Sequence, residues 1–255
     1  MRVTWRNGRF TEEGFTENGF LEGKGIFETL RCEGTSIFAL DRHMRRALTT
    51  GMKYGITIPH EDEIVSALTE VVAHSRFPVA RMRALFTGDE FGLVYESYEE
   101  NKGTCLLEIG PRSSHISRSE KTFPYDDRLE LLRSAQHRGF DEILLVTDDG
   151  FATEGAVSNF IFRDTSGWFT TPLSLGVLPG VMRALYLDNL DIRVRPFDIT
   201  KITQISAGFA VSSLRLAQPI TQIGHHTVSP DEESESMASA MREVALASSV
   251  LLAHG

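Results

Sequence analysis

The chain has 255 residues, of which 41% are hydrophobic and 24% charged; these are ordinary globular proportions, with apolar residues enough for one large domain or two smaller ones. A net charge of −9 argues against binding nucleic acid through its phosphate backbone, and no apolar run is long enough to span a bilayer. Two cysteines, Cys32 and Cys105, in strand-like apolar runs exclude a disulfide framework and read as buried thiols in a reducing cytoplasm, and Met1–Gly8 lacks the apolar stretch of a signal peptide.

In chain order, residues 1–40 read as strands and turns. Phe27–Cys32 and Ser36–Ala39 flank Glu33-Gly34, a hairpin signal. Asp41 reads as the N-cap of a helix from Arg42 to Tyr54 that Gly55 ends. A second helix follows Pro59, over Glu61–Ser75, with three acids in its first turn and Ile64, Leu68, Val71 and Val72 on one face. Strands are expected at Val79–Thr87 and Thr104–Ile109; the polar stretch Gly88–Gly103 between them reads as an exposed loop, a lid or interface element. The Pro-, Arg- and Ser-rich stretch 111–124 reads as a linker, which makes 1–110 a small N-terminal α/β domain and 125–255 a larger C-terminal one.

The second part opens with a helix over Asp126–Arg138, with Leu129, Leu132 and Ala135 on one side. Asp141–Thr147 and Thr153–Phe160 flank Asp148-Asp149-Gly150, which predicts a hairpin with Glu154 just past the turn among Gly155, Ala156 and Ser158. A Pro/Gly-rich run, Thr171–Gly180, leads into a helix over Val181–Leu190. Strands near Ile192–Arg195 and Gly208–Ser212 follow, then a helical tail over Pro230–Leu252.

Several residues are candidates for chemistry. Lys121 suits a nucleophilic lysine, whose amine is tuned by its surroundings; a surface lysine is the alternative. Glu154 beside small residues suits an acid that holds a protonated ring nitrogen, or else a surface acid at a hairpin end. The turn Gly176–Gly180 opens a helix whose first N–H groups suit a phosphate. Ser212-Ser213 adds hydroxyls, and an arginine in Asp41–Arg46 suits a charge-assisted contact to the same group. Gly23-Lys24-Gly25 is not a P-loop, because Gly25 stands where Ser or Thr is required, and the eight histidines show no metal-ligand spacing.

Gly25–Arg31, Asp41-Arg42-His43 with Arg46, Lys121, Asp141–Phe160, Leu178–Arg183 and Ser212-Ser213-Leu214, in that order, resemble the class-IV aminotransferase family over nearly the whole chain. The resemblance implies a two-domain α+β fold of type IV, with a barrel-like C-terminal domain, and pyridoxal 5′-phosphate (PLP) as cofactor. It implies that Lys121 is the Schiff-base lysine and that Glu154 faces the pyridine nitrogen. Arg46, the backbone N–H groups of Val181 and Met182, and Ser213 would hold the phosphate; Leu178 would pack on the ring, Tyr125 lie near its phenolic oxygen, and Asn159 close the Glu154 loop. A substrate-carboxylate arginine is expected, with Arg31, Arg83 and Arg215 as candidates. The resemblance further implies a homodimer acting on a small amino-acid-like molecule. Two departures bear on the substrate: Pro124 stands where the family usually has Asn, and Lys24 where it has Asp.

The family includes 4-amino-4-deoxychorismate lyases, which release pyruvate and 4-aminobenzoate, and branched-chain and D-amino-acid aminotransferases. The short chain and the 33-residue interval from Lys121 to Glu154 resemble the lyases. The other readings are an aminotransferase and, from another class, a non-catalytic binding protein that keeps the fold.

Overall fold

The computed structural model describes residues 1–88, 90–112 and 119–252. Their contacts group them into two compact units. The first comprises residues 1–100 and 120–125 together with the C-terminal segment from Ser248; the second comprises 101–119 and 126–247.

The first unit is built on an antiparallel sheet. Its strands run in the order Ser249–Leu251, Ser36–Phe38, Gly25–Glu33, Val79–Thr87, Glu90–Ser97, Arg2–Arg6 and Arg9–Phe10, and Thr122–Phe123 also pairs with Gly25–Glu33. The Glu33-Gly34 hairpin forms as expected, with Cys32 opposite Ile37 and Gly34 at φ 58°. Helices α1 (Leu40–Tyr54) and α2 (Glu61–His74) bury Leu40, Met44, Ala47, Ile64, Leu68, Val71 and Val72 in one core with Ile26, Leu30 and Cys32 of the sheet. Gly55 ends α1 in the left-handed region, as expected. The N-cap of α1 is Ala39 at φ 49°, not Asp41, which falls inside the first turn where its charge still meets the positive end of the helix.

The exposed loop expected over Gly88–Gly103 is corrected. Glu90–Ser97 is a strand paired along its length with Val79–Thr87 and with Arg2–Arg6, and Leu93, Val94 and Tyr95 are fully buried. The polar residues that flank this segment hid a central five-residue apolar run. A lid cannot be made of this strand; residues 98–103 beyond it are irregular and mostly exposed, as expected.

The second unit carries a mixed sheet in the order Arg193–Val194, Gly167–Thr170, Asn159–Asp164, Ala207–Val211, Gln218–Ile223, Cys105–Arg112, Glu142–Val146, Phe151–Ala152 and Phe197–Asp198. Cys105–Arg112, read from sequence as the last strand of the first domain, is parallel to Gln218–Ile223 on one side and to Glu142–Val146 on the other. The expected linker is therefore strand at both described ends, Cys105–Arg112 and Thr122–Phe123; residues 113–118 lie outside the described residues. Helices α3 (Asp126–His137), α4 (Val181–Asn189) and α5 (Glu232–Ala247) complete this unit. The tail is helical only to Ala247; Ser249–Leu251 joins the first sheet, opposite Ser36–Phe38.

The Asp148-Asp149-Gly150 turn forms, with Gly150 at φ 85°. Its returning arm pairs only briefly, Ala152 opposite Val146, before the chain leaves as a loop over Glu154–Ser158. Asn159–Asp164 then pairs with Gly167–Thr170 and Ala207–Val211 instead of with Glu142–Val146. No helix among the described residues is long and apolar enough to cross a membrane.

Candidate active site

In the first unit the site residues are set by the two faces of one strand. Alternation along Gly25–Glu33 puts Glu28 on the same side as Ile26, Leu30 and Cys32, toward α1, and Phe27 on the other. Glu28 is buried and meets two residues that successive positions of α1 bring to one face: His43, whose Nδ1 lies 2.6 Å from Oε2, and Arg46, whose Nε and Nη2 reach Oε1 and Oε2 at 2.8 and 2.5 Å. Burial alone would raise the Glu28 carboxyl, but the fork and charge of Arg46 and the His43 hydrogen bond outweigh it and hold the group at about 2. Burial lowers His43 from the usual imidazole range, against the pull of Glu28. The expected phosphate arginine, Arg46, is thus pinned by a carboxylate of the Gly25–Arg31 motif to which no role had been attached.

On the strand's other face, Lys121 precedes Thr122–Phe123. Its carbonyl accepts the Phe27 N–H at 3.0 Å. Its Nζ lies 4.5 Å from the centre of the Phe27 ring and 5.3 Å from that of Tyr125, and these two rings meet edge to face. Gly25 makes this possible: a Cβ there would come within 2.2 Å of the Phe86 carbonyl and 2.5 Å of the Phe123 ring. Only glycine lets the short strand that carries Lys121 pack so closely.

In the second unit the predicted residues Glu154, Asn159 and Leu178 come together at the start of α4. Glu154 is buried, and its Oε2 accepts the Leu178 N–H at 2.8 Å. Asn159 donates from Nδ2 to the Leu178 carbonyl at 3.1 Å. Gly180 has no side chain to cap α4, and a Cβ there would stand 1.8 Å from Asn159 Oδ1. The first-turn amides, those of Val181 and Met182 among them, are the ones that an α-helix leaves without an intrahelical acceptor. Amides in that position are able to receive an anion. Val211, the last residue of its strand, pairs with Asn159, so the Ser212–Leu216 turn that holds Ser213 leaves the sheet beside this loop; the Leu216 N–H closes it on the Ser212 carbonyl at 2.8 Å.

Two charged residues of this unit were missed from sequence. Arg128, 2% exposed on α3, donates from Nη2 to Glu154 Oε1 at 2.9 Å and from Nη1 to the Gly155 carbonyl at 3.1 Å. Its signal was available: Arg128 stands four and seven positions before Leu132 and Ala135, on the apolar face of a predicted helix. Glu142, fully buried, accepts from the Ala156 N–H at 2.9 Å and from Ser158 Oγ at 3.0 Å, and so clamps the Glu154 loop from behind.

The three candidate substrate arginines are all engaged by their own chain. Arg31 is buried, with Nε 2.7 Å from Glu33 and Nη2 2.5 Å from Glu100. Arg83 binds the carbonyls of Asn18 and Gly19 at 2.7 and 2.8 Å and lies over the Phe20 ring; burial, with Arg81 beside it, lowers it to about 10. Arg215 reaches Gln218 at 3.0 Å, the Asp141 carbonyl at 3.2 Å and Glu142 at 3.5 Å. Both cysteines are buried and free, and burial pushes each thiol up to about 12, as inert interior thiols require.

The second unit thus sets a buried carboxylate beside a loop of small residues and, two residues past its Leu178 contact, a helix start without a side-chain cap. The family model for amino-transferase class IV matches residues 25–223, and the chain belongs to that family, whose members are PLP-dependent lyases and aminotransferases. Among its relatives, the aminodeoxychorismate lyase of Bacillus subtilis is 23% identical over 85% of each chain, and a probable branched-chain-amino-acid aminotransferase of Rickettsia typhi is 25% identical over 80% of each. Two solved structures share the fold. One is the branched-chain aminotransferase of Thermoproteus uzoniensis with norvaline (TM-score 0.84, 18% identity, 98% of this chain and 99% of that one). The other is a hypothetical aminotransferase of Mycobacterium tuberculosis in its PLP-bound form (TM-score 0.82, 15% identity, 97% and 99%).

Proposed function

We propose that the chain is a PLP-dependent 4-amino-4-deoxychorismate lyase. The observation that carries the cofactor part is the second unit's arrangement: a buried Glu154 bonded to Leu178 N–H, two residues before the glycine that opens the uncapped α4. Those groups fit PLP. Glu154 would hold the ring nitrogen, and the α4 amides of Val181 and Met182, with Ser213, would hold the phosphate. Leu178 would pack on the ring, and Asn159 would keep its loop closed. Arg46, held in one orientation by Glu28, would contact the phosphate, and Tyr125 would offer a phenol to the ring's own oxygen.

PLP, when bound, withdraws electrons from the substrate carbon next to the substrate nitrogen. Lys121 would carry the cofactor through Nζ and, once the substrate amine has displaced it, take the proton from that carbon. The Phe27 and Tyr125 rings restrict where its Nζ can reach. Lys121 would hold that proton while a leaving group departs from the neighbouring carbon in an elimination, and would give it back in an amino transfer. The lyase branch is supported by the lyase relative that covers most of the chain, by the 33-residue Lys121–Glu154 interval and by the chain's length. The Rickettsia relative supports branched-chain amino transfer as the second reading.

Purified protein given PLP should turn yellow. Lys121→Ala should lose the borohydride-reducible bond and at least about 10³-fold in activity, since the residue acts as both attachment point and base. Aminodeoxychorismate should yield pyruvate and 4-aminobenzoate with no keto acid added. Conversion of the cofactor to its amine form by branched-chain amino acids, without pyruvate release, would move the assignment to amino transfer. A protein that takes up no PLP would refute both. The homodimer belongs to the same reading and is checked by light scattering of the eluted protein.

A further inference from the structure

Both oxygens of Glu154 already have a donor from their own unit. Arg128 Nη2 supplies one at 2.9 Å, and the Leu178 N–H supplies the other at 2.8 Å. The same arginine also grips the next peptide through the Gly155 carbonyl at 3.1 Å. Its side chain is 2% exposed and that of Glu154 5%. Stripping water from a guanidinium is costly, and a Met or Leu at position 128 would fill this face of α3 without that cost. Packing therefore does not explain an arginine here; what it does to Glu154 does.

We propose that Arg128 is a positioning residue for the cofactor's ring nitrogen: it locks the Glu154 carboxylate in one orientation and shares its negative charge. The proposal rests on the reading that Glu154 faces that nitrogen. A carboxylate whose charge is partly satisfied by a buried guanidinium favours a protonated ring nitrogen less than an unshared one would. The ring nitrogen should therefore exchange its proton at a lower pH than if Glu154 stood alone, and PLP should be held more tightly because its partner does not swing. A lysine in the same place would restore the charge, but as a point contact it could not bridge Glu154 and Gly155 as the planar fork does.

The test uses full-length protein loaded with PLP that carries ¹⁵N in its ring, with the nitrogen resonance followed as a function of pH. Arg128→Met suits the apolar face, and Arg128→Lys keeps the charge, so one of the two should fold. Arg128→Met should move the nitrogen's titration midpoint up by about one pH unit and weaken PLP binding about tenfold, the size of effect that loss of an orienting partner has at metal sites. Arg128→Lys should leave the midpoint near the wild-type value and weaken PLP binding several-fold. Variants with wild-type midpoint and wild-type PLP affinity, whatever their melting temperature, would reduce Arg128 to a structural residue. A wild-type nitrogen that stays protonated throughout the titration would overturn the charge sharing. A wild-type protein that binds no PLP would instead sink the cofactor reading, and this inference with it.

Discussion

Glu28 offers a prediction that can be worked through to a number. Its carboxylate is buried in the first unit, forked by Arg46 and hydrogen-bonded by His43, and is held at about 2 against an ordinary value of 4.5. Because the folded value lies below the unfolded one, the stabilisation is fully present above the unfolded value and drains away as pH falls toward the folded one. The difference amounts to roughly 3 kcal/mol at neutral pH, of which about 2 kcal/mol is lost by pH 3. Glu28→Gln removes this contribution and takes from Arg46, whose side chain is 12% exposed, its carboxylate partner, so at pH 7 it should destabilise the first unit by about 3–5 kcal/mol. The penalty should shrink by about 2 kcal/mol at pH 3, where the wild-type carboxylate has itself lost most of its advantage.

The assay is urea unfolding followed by Trp5 fluorescence in a Trp168→Phe background. Trp5 belongs to the first sheet, where its Nε1 donates to Glu70 at 3.0 Å, and Trp168 to the second. A difference between wild type and variant that stays constant from pH 7 to pH 3 would refute the reasoning, because the destabilisation would then be steric and not electrostatic.

Two further outcomes follow from packing. Leu93→Ala should cost about 2–5 kcal/mol in the same Trp5 assay, as a large-to-small change in a core does, because Leu93 is a fully buried strand residue; a loss within 0.5 kcal/mol would return Glu90–Ser97 to the exposed-loop reading. Gly180→Ala should destabilise the second unit by about 1–3 kcal/mol and weaken PLP binding. Gly180 has ordinary extended angles, φ −63° and ψ 135°, so its cost is the 1.8 Å approach of a Cβ to Asn159 Oδ1 and not backbone strain. Equilibrium titration with PLP checks the second effect, and wild-type affinity would show that the Asn159 contact does not shape the start of α4.

The sequence by itself determined what local chemistry controls. Glu33-Gly34 and Asp148-Asp149-Gly150 turn where a glycine at positive φ is needed, and α2, α3 and α4 begin and end within a residue of the positions that apolar period and acidic or Gly/Pro boundaries indicate. Six motifs from Gly25–Arg31 to Ser212-Ser213-Leu214, each weak alone, pointed by their order and spacing together to the family that the matched model establishes.

What only the tertiary structure decided are pairings between distant residues. Cys105–Arg112 looks like any strand, and nothing inside it says that its neighbours are Gln218–Ile223 and Glu142–Val146. Ser249–Leu251 is a short apolar tail until it meets Ser36–Phe38. Arg128 stands on the apolar face of a predicted helix, but only the fold names its partner, 26 residues further on, and Arg31 and Arg215 read as ligand-binding arginines until Glu33, Glu100 and Glu142 surround them. Periodicity reports which side of an element is buried, because it depends only on near neighbours. A buried charge is tolerable only against a particular opposite charge, and which one that is depends on where the whole chain has gone.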